Sequence, residues 1–229
     1  MTRAGKKCLH GRGYKFEQRM KSALLLTICV TLAHAGGNTA AGEAEVLFRQ
    51  AMGTKDFRTQ KKMVRELAAK FPDTAHGLCA QGMLSGMRVG AKPAEEIEFY
   101  NKALKIKPDF VEALVNRGTT RLQLNDVPGA MADFNKAIEI NPKEGMPYFN
   151  RGTVKAAQGD DAGALADFDK AISLTPDMPQ FYYRRALHRT RMNKPMKDIC
   201  ADYKAAAELG HPQAAEFAPD ECKIKPAEQ

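Results

Sequence analysis

Three kinds of side chain in this 229-residue sequence could carry chemistry: histidines, cysteines and paired carboxylates. Beyond residue 35 the histidines are His76, His188 and His211. None has a second His or Cys at a metal-ligand spacing such as HExxH or CxxC, so neither a metal nor any other cofactor is expected. No GxSxG elbow and no glycine-rich phosphate loop is present to seat a nucleophile or a nucleotide. The acidic pairs Glu95–Glu96 and Asp160–Asp161 fall at expected helix starts, where carboxylates complement the helix dipole. The chain therefore reads as non-catalytic, not an enzyme.

What the cysteines can do depends on the compartment, and the N-terminus bears on that. Residues Ala23 to Leu32 (ALLLTICVTL) form a charge-free apolar run, a basic stretch including Lys21 precedes it, and Ala33-His34-Ala35 has the small-residue outline of a cleavage site. Residues 1–35 thus read as a secretory signal peptide, and a start at Met20 gives a compact one. The run is shorter than the roughly 20 residues a membrane-crossing helix needs. Cys29 lies inside the apolar run behind the bulky Ile28, so Leu26-Thr27-Ile28-Cys29 is not a lipoprotein site. The expected location is periplasmic, with secretion or tethering by an uncleaved signal as alternatives, and no membrane span after cleavage.

Cleavage leaves Cys79, Cys200 and Cys222, an odd number that implies one disulfide and one free thiol in an oxidising compartment. It also removes most of the net charge. Seven of the 35 basic side chains and one of the 27 acidic ones lie in residues 1–35, so the formal +8 falls to +2. A near-neutral chain gives no basis for a nucleic-acid partner, whose binding rests on neutralising many phosphates.

The elements that hold these groups are set by an internal repeat. Glu98 to Pro108 (EFYNKALKIKP), Ala132 to Pro142 (ADFNKAIEINP) and Ala166 to Pro176 (ADFDKAISLTP) are spaced by 34 residues. Asn116-Arg117-Gly118, Asn150-Arg151-Gly152 and Arg184-Arg185-Ala186 keep the same interval. Ala130, Phe134, Ala137 and Ile138 fall on one helical face, and Leu114, Gly118 and Leu122 on one face of a partner helix. Gly118 and Gly152 clear side chains from the place where paired helices press closest. Gly159-Asp160 offers a turn and a capping oxygen, Pro128 suits a first helical turn, and Pro142 and Pro176 stop each unit.

This pattern resembles the tetratricopeptide repeat. Leu114, Gly118, Ala130, Phe134, Ala137 and Pro142 fill the family's signature places in one unit; Tyr148, Gly152, Ala164, Phe168, Ala171 and Pro176 fill them in the next. The resemblance implies an all-α fold, a right-handed solenoid of about four helical hairpins. It divides the chain into a linker at 36–42, a degenerate first repeat at 43–74, repeats at 75–110, 111–144, 145–178 and 179–211, and a C-terminal cap and tail at 212–229. A hairpin cannot bury its apolar face alone, so neighbours must stack and leave a concave surface.

The family resemblance also places a candidate peptide-binding groove on the first helix of each hairpin. Asn116, Asn150 and Arg184 hold the sixth place, Val115, Phe149 and Tyr183 the fifth, and Thr119, Thr153 and Leu187 the ninth. Amides there suit recognition of an extended main chain, and aromatic neighbours supply anchors. The threonines stand where a clamp for a chaperone's terminal carboxylate needs Asn, so that ligand is not expected. Similarity to the ends of exported repeat proteins implies a Cys200–Cys222 disulfide, against the alternative of two unpaired thiols; Cys79 reads as a buried small side chain. The expected function is a scaffold that binds a protein or peptide partner in the groove. The alternative is an envelope assembly factor working through convex or end surfaces. Nothing in the residues specifies an oligomeric state.

Overall fold

The computed structural model describes residues 39–222. The signal-peptide reading of residues 1–35 and the Met20 start lie outside the described residues, as do the rest of the linker up to residue 38 and the tail from residue 223. Among the described residues there is no strand. Ten long helices form five antiparallel hairpins: Ala40–Met52 (α1) with Phe57–Lys70 (α2), Ala75–Gly86 (α3) with Pro93–Ile106 (α4), Val111–Gln123 (α5) with Val127–Ile140 (α6), Gly145–Gln158 (α7) with Asp161–Leu174 (α8), and Pro179–Arg191 (α9) with Met196–Glu208 (α10). A single turn, Ala214–Phe217 (α11), and a 3-10 turn at Asp220–Cys222 close the C-terminal end. The count exceeds the expected four because the degenerate first unit forms a full hairpin, packed through Phe48, Val64 and Leu67.

Local signals start and stop the helices. The Gly129 N–H donates to Asp126 Oδ1 and the Gly163 N–H to Asp160 Oδ1, each at 2.9 Å, which satisfies first-turn donors of α6 and α8. Pro128 sits in the first turn of α6, where its missing N–H costs nothing. Gly159 has φ +84°, a left-handed conformation that lets α7 end and α8 begin within two residues. Pro142 and Pro176 follow the ends of α6 and α8 by two residues and redirect the chain.

Close approach explains the glycine before each ring. A Cβ built on Gly118 would lie 2.6 Å from Cε1 of Phe134, a fully buried ring that fills the space between α5 and α6. Shape thus fixes the pairing of the two helices. Between hairpins, first helices touch first helices, α1 with α3, α5 with α7 and α7 with α9; no comparable contact joins second helices. The stack therefore bends with the first helices on its inner side.

The first hairpins share an apolar core into which His76 projects, 5.4 Å from the Phe48 ring and 4.7 Å from the Phe110 ring. Burial, reinforced by Lys107 and Arg49 and opposed by Glu45, holds the imidazole pKa down to about 4. Above pH 6.5 neither folded nor unfolded chain protonates it. Below 6.5 the unfolded chain takes up a proton that the folded chain refuses, so stability falls until about pH 4 and then levels off. Urea unfolding should show His76 removing about 2 kcal/mol between pH 7 and 4.5, by the worth of a pKa unit. His76→Phe should show a correspondingly smaller loss over the same interval.

Candidate protein-binding surface

The inner face is built from α5, α7 and α9, which carry most of the residues expected to line a groove. The amide of Asn150 donates from Nδ2 to Thr119 Oγ1 at 3.4 Å, reaching back to the preceding hairpin. Asn116 Nδ2 lies 3.9 Å from Cys79 Sγ, also one hairpin back. Thr119 and Thr153 donate their hydroxyl hydrogens to the Val115 and Phe149 carbonyls of their own helices, at 2.9 and 3.0 Å. Both amides thus help join neighbouring units while remaining only half-buried.

The fifth-place residues pack more than they protrude. Val115 is 7% exposed. Phe149 stacks on Phe181 at 4.7 Å, and Tyr183 stacks on His211 at 4.0 Å and meets Tyr203 edge-on at 5.9 Å. Arg184 is exposed and has no ion-pair partner among the described residues. It depresses the pKa of His211, whose main cause of depression is burial.

A cavity of about 260 Å³ opens between α7 and α9, where Phe168, Thr153, Arg184, Leu187, His188 and Arg191 line it. Asp161 faces its rim, bonded by Arg191 Nη2 at 2.9 Å, with His188 Nε2 at 3.3 Å. Leu187 and the methyl groups of Ala156 and Ala157 beside an unpaired guanidinium can receive an apolar side chain with a carbonyl or carboxylate nearby. Among the described residues no group of three or more His, Cys, Asp or Glu side chains is placed to hold a metal ion. Nor is any helix there long and apolar enough to cross a membrane.

Between the first and second helices runs a ladder that sequence reasoning missed. Arg117 grips buried Asp133 through Nε and Nη2 at 3.0 and 2.6 Å, and its Nη1 donates to Asn101 of the previous hairpin at 2.8 Å. Arg151 repeats this with Asp167 (2.8 and 2.7 Å) and Asn135 (2.9 Å). Arg185 repeats it with Asp202 (2.9 and 2.6 Å) and Asp169 (2.5 Å). A second cation, Arg121, Lys155 or Arg189, completes each carboxylate at 2.7 to 2.9 Å. The signal was present in the repeated Arg and Asp; what hid it was that partners 16 or 17 residues apart share no helical face.

Of the acidic pairs read as helix-dipole partners, Glu96 proves to be buried, and its Oε2 accepts from Thr120 Oγ1 at 3.1 Å. It occupies the small-residue place held by Ala130 and Ala164 in later units, and its longer side chain reaches α5 from there. Cys79 is fully buried, and burial pushes its thiol pKa up to about 12, which removes it as a nucleophile. Cys200 and Cys222 are joined in a disulfide with a sequence separation of 22. Closing a loop of that length stabilises by about 3 kcal/mol and pins the C-terminal turns to α10.

Stacked hairpins, the repeated packing of Gly on an aromatic ring and an inner face built of first helices make a solenoid of the tetratricopeptide-repeat type. The tetratricopeptide-repeat family model matches residues 111–144 and 147–178, the two units with the fullest signature. No curated protein matches the sequence. Among solved structures, a crystal structure of MamA superposes with a TM-score of 0.52 at 20% identity, covering 73% of this chain and 96% of that one. A second MamA crystal structure gives 0.50 at 18% identity, covering 82% and 98%. At these identities the likeness is one of fold.

Proposed function

We propose that this chain is an exported adaptor that holds a segment of a partner protein along its inner face. The cavity between α7 and α9 carries the reading: it sits on the face expected to line a groove and joins an apolar wall, Leu187 and Ala157, to the unpaired Arg184. Half-buried Asn116 and Asn150 flank it along the same face and offer donors and acceptors to an extended main chain. Export is supported by the apolar run before Ala35 and by the Cys200–Cys222 bond, which belongs to oxidising compartments. Mass spectrometry of the protein from its native source should find an N-terminus just after Ala35, and a retained leader would refute cleavage.

A photo-crosslinking residue at Leu187 tests the groove, with one at exposed Lys136 on α6 as the control. Adducts from Leu187 alone are expected. Adducts from Lys136 alone would replace the groove reading with that of an assembly factor working through its outer surface. Arg184→Glu should weaken partner binding at least tenfold, about 1.4 kcal/mol, without moving the unfolding midpoint.

A further inference from the structure

The seams between hairpins are closed by four recurring places. The residue before the glycine place is Arg117, Arg151 or Arg185, and three residues after that place stands Arg121, Lys155 or Arg189. The residue before the buried ring is Asp133, Asp167 or Asp202, and seven residues before each proline stands Asn101, Asn135 or Asp169. At three successive seams these side chains interlock in the ladder described above.

At the seam between the first and second hairpins all four places differ. Gln81 precedes Gly82, Ser85 stands three residues after it, Phe99 precedes Tyr100, and Arg65 stands seven before Pro72. No guanidinium fills the gap. A cavity of about 450 Å³ opens there instead, between α2, α3 and α4, and those four residues all line it. Leu84 adds an apolar wall, and Arg88 joins Arg65 as a second exposed cation. Neither arginine has a carboxylate within ion-pair distance among the described residues, and Glu95, also lining the cavity, is engaged by Lys92 at 3.5 Å.

We infer that this seam is a second binding site, separate from the inner groove, for an acidic segment of a partner protein. A carboxylate of that segment lies against Arg65 and Arg88, and the apolar side chain beside it covers Leu84 and Phe99. Charge complementarity selects the ligand. At the other seams each arginine is neutralised by a buried aspartate of the chain itself, whereas here an aromatic ring replaces that aspartate and two cations stand open at the rim. Arginine pairs with carboxylates in a two-bond geometry, and the cavity volume suits one or two side chains.

The probe is a random heptapeptide library displayed on phage and panned on the whole protein, with counter-selection on Gln81→Arg/Phe99→Asp. That double variant rebuilds the arginine and carboxylate of the other seams and fills the cavity. Enrichment of peptides pairing Asp or Glu with an apolar neighbour, on the unaltered protein only, is the expected result. Arg65→Glu/Arg88→Glu changes two exposed side chains and serves even if the cavity-filling variant fails to fold; it should weaken the selected peptides at least tenfold. Arg184→Glu in the inner groove should leave their binding unchanged, which separates failure here from failure of the groove reading. No carboxylate-bearing peptides among those selected, or undiminished binding to Arg65→Glu/Arg88→Glu, overturns the proposal.

Discussion

Asp133→Ala is expected to lower the free energy of unfolding by about 3 kcal/mol, at the lower end of the loss seen when one member of a buried ion pair is removed. The side chain of Asp133 is 4% exposed and holds Arg117 and Arg121 together. Without it Arg117 and Arg121, one turn apart on α5, lose the buried carboxylate they share, and among the described residues Arg121 keeps only the carboxylate of Asp126, at 3.4 Å. Partial exposure of both arginines lets water recover some of the cost, which is why the low end of the range applies. Urea denaturation with an unchanged slope measures the effect. The double variant Arg117→Met/Asp133→Leu should recover more than half of the loss, because apolar side chains of similar volume replace a buried ion pair at little cost. A single variant within 1 kcal/mol of the unaltered protein would show the rung to be energetically idle.

Phe134→Ala is expected to cost 3–5 kcal/mol, the range for emptying a buried aromatic site. The ring is fully buried and lies where any side chain at position 118 would stand. That geometry makes a sharper forecast about Gly118→Ala. Alone, it gains about 1 kcal/mol of helix propensity but drives a methyl to 2.6 Å from Phe134, so a net loss of up to about 2 kcal/mol is expected. In the Phe134→Ala background the same methyl enters the vacated space and should stabilise. A thermodynamic cycle over the four proteins reads the change of sign directly. Equal effects of Gly118→Ala in both backgrounds would contradict steric locking of α5 against α6.

Much of the architecture could be read along the chain, because a helix states its buried face in residues three and four apart and its ends in caps and prolines. Asp160 caps α8, Gly159 turns left-handed, and Pro142 follows α6, each at the place its residue type indicates. The first hairpin was legible as helices but not counted as a full unit, since Phe48 and Leu67 fill its core without the alanine and glycine signature.

The candidate sites were legible only in part. Asn116, Asn150 and Arg184 could be placed on one face by their spacing, but that Val115 turns inward and Tyr183 lies on His211 depends on neighbours from other helices. The ladder shows the division most clearly. Its arginines and aspartates repeat visibly at the period of the units, yet Arg185 meets Asp202 at a separation of 17 where the earlier pairs stand at 16, because the turn at Asn193, with φ +51°, absorbs the extra residue. Local sequence determined the helices, their ends and the faces they bury, since those follow from propensity and periodicity within a few residues. Only the tertiary structure decided which charges meet, which seam stays open and where an arginine is left without a partner, because each depends on side chains brought together from separate helices.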